Sequence, residues 1–412
     1  MSQQNLHHKK IVLSAFRCEY DGISEAAVGY NWVSQIAHYT SPVLLTPNSI
    51  IELTNKGIHQ PNLPVNSKIL NRYFNRINSA VKLDYFYFDL KASLQCRKIL
   101  QEADLFHHIT PIAPRYHSLS SLICKKTIIG PVGGGLKIPS GFDEIAGKEP
   151  FYSKLRSLDS ARINFDPLLL ATYKKASRIL IVGKYMLDLL PKYLHEKCQL
   201  MLDVGIDLED YCVLDPLIQA SQNETKIQLL YVGRIVPYKG LSLLIEALSL
   251  LDIKLKSKIF LSIVGDDQGA YADHCKQLTR ALNLEDCCTF YGKRRKEEVL
   301  TFYKNSNIFC FPSLAEAGGT VVLEAMSMGL PVITINRGGP AEMVDKSCGI
   351  LIDAHSPNYV SRKIAEALSM LIMNRDKTID LGKAARKKVQ DNFTWQKKGQ
   401  KLKEIYEEVL SE

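Results

Sequence analysis

Residues 308–345 read IFCFPSLAEAGGTVVLEAMSMGLPVITINRGGPAEMVD. The apolar run 308–311 predicts a buried strand, 320–328 predicts a helix, and the apolar residues that follow predict another strand. Between the first strand and the helix lie Gly318 and Gly319, which let backbone N–H groups approach a ligand. A helix N-terminus at this point favours an anion.

Two carboxylates flank this loop. Seven residues separate Glu316 from Glu324, and Glu324 lies about one turn into the predicted helix. An anion cradle between two hydrogen-bond acceptors suits a ligand with phosphates in its middle and hydroxyl groups at both ends. A nucleotide sugar has this shape.

Strands alternate with helices along the whole chain. Near-continuous apolar strands in this arrangement are typical of parallel sheets covered on both faces, so the class is α/β. Two series of strands favour two Rossmann-like domains. The predicted strands are 11–13, 43–45, 105–107, 127–129, 179–182, 227–232, 259–264, 289–291, 308–311, 332–335 and 349–352.

The domain boundary is expected near residues 204–207, just before a polar stretch. We predict an N-terminal Rossmann-like domain over 1–205 and a C-terminal one over 206–390. The remaining residues, 391–412, predict an amphipathic helix.

The composition is that of a soluble two-domain protein: 412 residues, 46% hydrophobic and 23% charged. No apolar run reaches the length of a membrane span, and the polar N-terminus does not resemble a signal peptide. We therefore expect a cytoplasmic location. The ten cysteines contain no C-x-x-C pair, so we expect neither a disulfide nor a metal site.

The formal charge of +9 includes basic clusters at 125–126, 293–296 and 386–388. Two interpretations stay open, a solvated basic face and docking at the inner face of an anionic membrane. Nucleic acid is not expected as a partner, because the basic runs are short and no zinc-finger or RNP-type motif accompanies them.

The segment around Glu316 and Glu324 resembles the E-x7-E signature of family-four retaining glycosyltransferases, known as glycosyl transferases group one, which have the GT-B fold. In that family the first Glu contacts the donor sugar and the second binds the nucleotide ribose. The usual Phe-Gly after the first Glu is Gly318–Gly319 here. The flanking Phe-Pro-Ser, Glu-Ala-Met and Gly-Leu-Pro-Val-Ile strengthen the match.

A second match covers Gly233, Arg234, Lys239 and Gly240, which fit the family's G-R-x-x-x-x-K-G pattern. There the Arg and Lys clamp the diphosphate and offset charge on the leaving group. Gly265 belongs to a Val-Gly-Asp turn that lies near the nucleotide in the family or is only structural. The resemblance therefore implies a donor site made of Gly233, Arg234, Lys239, Gly265, Glu316, Gly318, Gly319, Thr320 and Glu324, with Arg234, Lys239 and Glu316 in catalysis.

The N-terminal half resembles a bacterial subgroup with Ser-Glu-x-x-Val-Gly and Gly-Pro-Val-Gly-Gly-Gly loops. Ser24 and Glu25 open the first loop, and an ordinary helix start has equal weight there. Histidines at the end of the strand near residue 107 face the ligand crevice of such a sheet. The acceptor-side candidates are Glu25, His107, His108, Gly133 and Gly134, with His107 favoured as structural. The histidine that many family members carry after the 127–129 strand is absent, so no general base is assigned.

The resemblance implies a retaining transfer from a UDP- or GDP-sugar to a glycan or lipid-linked acceptor, with no cofactor or metal. The expected setting is bacterial polysaccharide or cell-envelope synthesis. The donor would bind the C-terminal domain, the acceptor the N-terminal one, and the last helix would cross back onto the N-terminal domain. Three alternatives stay open: a nucleotide-sugar epimerase, a sugar phosphorylase, and a non-catalytic nucleotide-sugar-binding scaffold.

Overall fold

A computed structural model describes residues 6–65, 82–146, 159–211 and 226–412. The chain divides into two compact units. The first contains Met1–Gly135, Glu149–Asp203 and Trp395–Glu412, and the second contains Leu136–Lys148 and Val204–Thr394.

The first unit contains a six-stranded, entirely parallel sheet. Its strands are β1 (Ile11–Ala15), β2 (Val43–Leu45), β3 (Leu105–Thr110), β4 (Thr127–Val132), β5 (Arg178–Ile181) and β6 (Cys198–Leu200). The spatial order is β2-β1-β3-β4-β5-β6. The chain adds β2 on one side of β1 and β3 on the other, so the strand order reverses between β1 and β3. Open α/β sheets bind their ligands at such a point.

The second unit contains another parallel sheet of six strands. They are β7 (Ile227–Val232), β8 (Ile259–Val264), β9 (Cys288–Gly292), β10 (Ile308–Phe311), β11 (Val332–Ile335) and β12 (Gly349–Ile352). The order β12-β11-β10-β7-β8-β9 is that of a dinucleotide-binding sheet, with its reversal between β7 and β10.

Seventeen α-helices lie within the described residues. In the first half they are α1 (Glu25–Ala37), α2 (Ile51–Asn55), α3 (Leu83–Gln95), α4 (Arg97–Glu102), α5 (Leu119–Ile123), α6 (Asp143–Ala146), α7 (Asp159–Phe165) and α8 (Pro167–Lys175). In the second half they are α9 (Leu241–Ser249), α10 (Ile253–Lys256), α11 (Ala270–Ala281), α12 (Lys296–Lys304), α13 (Thr320–Ser327), α14 (Gly338–Met343), α15 (Pro357–Met373), α16 (Arg375–Asn392) and α17 (Trp395–Ser411).

The α/β class and the two parallel sheets confirm the prediction from sequence. All eleven predicted strands are present, with ends shifted by at most three residues. The missed strand is Cys198–Leu200, whose three residues are all only half-buried. It has a polar residue at its centre and so lacks the apolar run that identified the others.

The C-terminal helix α17 belongs to the first unit. Trp395 at its start packs edge-on against Trp32 of α1, with ring centroids 5.5 Å apart. Lys398 is buried beneath the same indole and donates to the Leu202 carbonyl. Burial lowers the pKa of Lys398 to about 7.

Residues 136–148, which lie inside the predicted N-terminal domain, group with the second unit. Phe142 in this segment is fully buried, and helix α6 packs beside the turn Pro237–Lys239. Hydrophobic periodicity could not predict that residues 136–148 group with the second unit, because this grouping depends on long-range contacts. No helix in the described ranges is long and apolar enough to cross a bilayer.

Candidate functional site

The predicted donor residues gather at the reversal point of the second sheet. Strands β7 and β10 are neighbours, and the chain leaves each of them into a loop at the same edge. The loop after β7 carries Gly233 and Arg234, and the loop after β10 carries Glu316. Ligands of open α/β sheets bind at this position because the diverging loops leave a crevice.

The two loops pack closely on each other. The backbone N–H of Leu314 donates to the Tyr238 carbonyl over 2.8 Å. Gly240 has φ +70°, and a Cβ there would lie under 3.0 Å from the Pro312 carbonyl oxygen. A side chain at residue 240 is therefore excluded by both backbone conformation and space.

Lys239 and Glu316 form an ion pair between these loops. Their side chains are 12% and 17% exposed, respectively. The Lys239 ammonium also lies 4.9 Å from the ring centroid of Phe311, the last residue of β10. The site thus holds a fixed cation against a carboxylate, and the aromatic face adds to the attraction on the cation.

Arg234 is exposed, and its guanidinium donates to the Tyr238 hydroxyl over 2.5 Å. The same loop therefore carries both Arg234 and Lys239. A guanidinium near a crevice can bind two oxygens of a phosphate, whereas an ammonium acts as a point charge.

Helix α13 begins at Thr320, and Gly319 occupies its N-cap position with φ +98°. Gly318 precedes it in the loop, and Thr320 is exposed. Because glycine has no side chain, Gly319 supplies no side-chain cap, although its carbonyl accepts from the Val322 backbone N–H over 2.9 Å. Backbone donors and the helix dipole at this end favour an anion.

Glu324 lies further along the same helix and accepts hydrogen bonds from two tyrosines. Tyr303 donates over 2.9 Å and Tyr211 over 3.1 Å. Burial raises the pKa of Glu324, and the two hydroxyls oppose that rise. These tyrosines were not identified from sequence, since neither belongs to a motif and Tyr211 lies 113 residues away.

Gly265 follows β8 beside the same edge of the sheet. A Cβ at Gly265 would lie under 3.0 Å from the Gly233 carbonyl oxygen. Its backbone N–H donates to the Gly292 carbonyl over 3.1 Å. These contacts explain why a glycine is needed at residue 265 through packing alone.

In the first unit, Glu25 begins α1 and is bound by the protein through both carboxylate oxygens. Its Oε1 accepts from the Ile112 backbone N–H over 2.7 Å, and its Oε2 pairs with Lys82. The preceding Ser24 has φ 57° and makes no side-chain cap. The Lys82 ammonium lies 5.6 Å from the Tyr116 ring centroid. Glu25 therefore anchors a lysine near the reversal point of the first sheet.

His107 is fully buried in β3, with both ring nitrogens engaged. Nδ1 lies 2.7 Å from the Tyr406 hydroxyl, and Nε2 lies 2.6 Å from the Gly130 carbonyl oxygen. A carbonyl only accepts, so Nε2 carries the proton and Nδ1 accepts from Tyr406. Burial lowers the pKa of His107 to about 3, so the ring is neutral at pH 7. This geometry gives His107 a packing role between β3, β4 and α17.

His108 points to the other face of β3 and is also buried. Neither ring nitrogen has a hydrogen-bond partner within the described part of the chain at good geometry. Burial lowers its pKa to about 4, against a smaller opposing effect of the Pro111 carbonyl and the Glu25 carboxylate. The Tyr85 ring lies 5.9 Å from it, edge-on.

The glycines after β4 contact other residues of the first unit. The Gly133 N–H donates to the Ile112 carbonyl over 3.0 Å, and a Cβ at Gly133 would crowd the Val182 side chain. The Gly134 backbone N–H donates to the Tyr185 hydroxyl over 3.0 Å. Glu25, His108 and Gly133 thus surround the 110–112 turn of the first unit.

Residues 217–388 match the profile of the glycosyl transferases group 1 family. The chain is 32% identical over 184 residues to a D-inositol 3-phosphate glycosyltransferase of Corynebacterium jeikeium, covering 43% of each chain. It is 26% identical over 245 residues to an uncharacterized glycosyltransferase of Methanocaldococcus jannaschii, covering 58% of this chain and 60% of that protein. The matches thus span about half the length of these curated relatives.

Solved structures resemble nearly the whole chain. A glycosyltransferase from Rickettsia africae aligns with a TM-score of 0.63 at 19% identity, covering 98% of this chain and 99% of that one. The Anabaena protein HepE in complex with UDP aligns with a TM-score of 0.64 at 16% identity, covering 97% and 100%. At these identities the likeness concerns the fold. The chain therefore has the GT-B fold, and its residues 217–388 match the model of the glycosyl transferases group 1 family.

Proposed function

We propose that the protein is a retaining glycosyltransferase that uses a nucleoside diphosphate sugar, UDP- or GDP-linked, as its donor. The observation that carries this proposal is the Lys239–Glu316 pair at the open N-terminus of α13, with Glu324 on the same helix. A cation and backbone donors suit the diphosphate, and the two carboxylates suit hydroxyl groups on either side of it. The family match and the names of the relatives support the same activity.

In the proposed step, the bond between the anomeric carbon and the β-phosphate oxygen breaks, and its electron pair stays on that oxygen. The acceptor hydroxyl oxygen forms the new bond on the same face of the sugar. Its proton passes to the departing phosphate oxygen, so atoms and charge balance without a side-chain base. His107 does not serve as that base here, because both of its nitrogens are engaged and burial lowers its pKa to about 3.

Each residue of the site has a role in this scheme. Arg234 and Lys239 offset the negative charge that grows on the diphosphate. Glu316 binds hydroxyl groups of the sugar, and Glu324, oriented by its two tyrosines, binds the ribose. Because these groups can neutralise the diphosphate, we propose that no metal is required. Among the described residues, no three His, Cys, Asp or Glu side chains converge as metal ligands.

The acceptor is proposed to be a glycan or a lipid-linked glycan of a cell-envelope or polysaccharide pathway, reached at the cytoplasmic face of a membrane. Several cations of the three basic clusters are already engaged within the protein. The contacts are Lys126 with the carbonyls of Val409 and Leu410, Lys296 with Asp210, Arg386 with the Ser327 carbonyl, and Lys388 with Asp345.

A different surface supports contact with an anionic membrane. Helix α3 exposes Tyr87, Leu90 and Leu94 by 54%, 47% and 63% on one side. Arg97 and Lys98 follow at the start of α4 and are exposed. An apolar stripe with adjacent cations fits the interface of an anionic bilayer. Sedimentation with phosphatidylglycerol vesicles tests this contact, comparing Leu90→Ser/Leu94→Ser with Ile253→Ser, an exposed position of the second unit.

The decisive experiment for the function is a donor screen. Purified protein is titrated calorimetrically with UDP and GDP, and release of nucleoside diphosphate from the matching nucleotide sugars is then measured with and without candidate acceptors. We expect micromolar binding of one nucleotide, lost in Glu324→Ala, and acceptor-dependent turnover. Binding without turnover would favour a non-catalytic scaffold, and interconversion of nucleotide sugars without an acceptor would favour an epimerase. Phosphate-dependent turnover would favour a phosphorylase.

A further inference from the structure

A tight turn formed by Arg337, Gly338 and Gly339, at the start of α14, touches the backbone of Glu316. The Gly339 N–H donates to the Glu316 carbonyl over 3.0 Å. Gly338 has φ +62°, and a Cβ there would lie under 3.0 Å from the same carbonyl oxygen. The turn therefore reaches Glu316 at a distance that only glycine permits.

The contact extends along the loop. A Cβ at Gly339 would lie under 3.0 Å from the carbonyl oxygens of both Ala317 and Gly318. Three successive carbonyls, from residue 316 to 318, thus rest on one turn. On the other side, a Cβ at Gly319 would lie 3.3 Å from the Glu316 Cγ and 3.3 Å from the Pro340 ring. The Glu316 loop is enclosed between the turn and the start of α13.

The turn is itself supported by residues 136–146. The Leu136 Cδ2 lies 2.8 Å from where a Cβ at Gly338 would be, and Arg337 donates to the Lys137 carbonyl over 2.9 Å. Helix α6 of the same segment packs beside the turn that carries Lys239. One short segment of the second unit therefore contacts the turn that carries Lys239. It also contacts Arg337 and Gly338, which in turn support the Glu316 loop.

We propose that Arg337, Gly338 and Gly339, together with Leu136, are positioning residues that hold Glu316 against Lys239. The proposal rests on the proposed function, in which Glu316 contacts the donor sugar. Residues 312–319 form no helix or strand of their own, so their conformation depends on tertiary contacts. A carboxylate that must meet sugar hydroxyls needs a fixed backbone, and the turn supplies it through backbone contacts alone.

The test compares two glycine substitutions that each press a methyl group against a backbone carbonyl oxygen. Gly339→Ala pushes a methyl group into the carbonyls of the Glu316 loop. Gly382→Ala is the matched control, because its Cβ would lie under 3.0 Å from the Gly329 carbonyl oxygen, in the same unit but away from Glu316. For both we measure urea unfolding, affinity for the nucleoside diphosphate, kcat and KM for the nucleotide sugar, and hydrogen exchange of the peptide covering residues 314–320.

For Gly339→Ala we expect nucleoside diphosphate affinity within about threefold of wild type, a fall of about 10- to 100-fold in kcat for the nucleotide sugar, and faster exchange in residues 314–320. Gly382→Ala should lose stability without changing kcat or that exchange. Equal effects of the two variants on kcat and on exchange would overturn the proposal.

Leu136→Ala provides a second variant in case Gly339→Ala does not fold, because it removes a contact without adding a clash. It should also lower kcat, by a smaller factor, whereas Leu136→Met, which keeps the side-chain volume, should have a kcat close to that of wild type. If Leu136→Ala leaves both kcat and exchange of residues 314–320 at wild-type values, the proposal is wrong. A wild-type protein that turns over no nucleotide sugar would instead contradict the proposed function, while the exchange measurement still decides whether the turn holds the loop.

Discussion

Replacing Lys239 by methionine removes the cation that faces Glu316 while keeping most of the side-chain volume. Two unit charges about 4 Å apart interact by about 4 kcal/mol at the effective dielectric constant of about 20 that suits partly buried sites. Lys239 is only 12% exposed, so this regime applies. The net gain from binding the diphosphate is smaller than this, because the Lys239 ammonium is already paired with Glu316 in the free protein.

We therefore expect Lys239→Met to lose about 3 kcal/mol of transition-state stabilisation, which corresponds to roughly a 100-fold fall in kcat/KM. The assay follows nucleoside diphosphate release from the donor identified by the binding screen. Lys388→Met is the control, since it breaks an ion pair with Asp345 in the same unit outside the site. If the two variants retain equal kcat/KM within threefold, the assignment of Lys239 to the diphosphate is refuted.

The same substitution has a second consequence, for stability. Lys239→Met leaves the Glu316 carboxylate without its partner in a half-buried position. Adding Glu316→Gln should recover about 1 kcal/mol of the lost free energy of unfolding, although the double variant should stay inactive. Strict additivity of the two changes in urea unfolding would contradict a direct Lys239–Glu316 interaction.

Three other expectations concern groups elsewhere in the two units. Burial raises the pKa of Glu324, so its ionisation costs folding stability as pH rises through that pKa. Glu324→Gln should therefore unfold at higher urea than wild type at pH 7, lose this advantage below about pH 4, and bind nucleotide more weakly. A constant advantage at all pH values would contradict the burial argument. Burial lowers the pKa of His107 to about 3, so the contribution of His107 to folding stability is complete above about pH 6.5 and is lost as pH falls towards 3. Tyr406→Phe should cost about 1 kcal/mol in urea unfolding at pH 7, because it removes the hydrogen bond to His107, and should leave nucleotide affinity unchanged. A change in that affinity would contradict the placement of Tyr406 in the first unit. Transfer activity should survive dialysis against EDTA, and loss that magnesium or manganese restores would contradict a metal-independent mechanism.

Where the candidate donor residues lie in the fold could largely be predicted from sequence, since these residues follow strands directly. Arg234 comes two residues after β7, and Thr320 begins the helix that follows β10. Local signals suffice here because parallel strands end at the same edge of a sheet. The same reasoning placed His107 in β3, but it could not supply the partners at both ring nitrogens. Tyr406, one of them, lies 299 residues away.

The amino-acid sequence alone determined the α/β class, eleven strands and the loops that carry the motifs, because apolar runs and glycines act over a few neighbouring residues. Tertiary structure decided which loops meet. Lys239 and Glu316 are 77 residues apart, and Tyr211 reaches Glu324 from outside every motif. Residues 136–148 group with the second unit, although the chain on either side of them belongs to the first. These contacts depend on the order of strands in each sheet and on close backbone packing, and no periodicity along the chain encodes either of them.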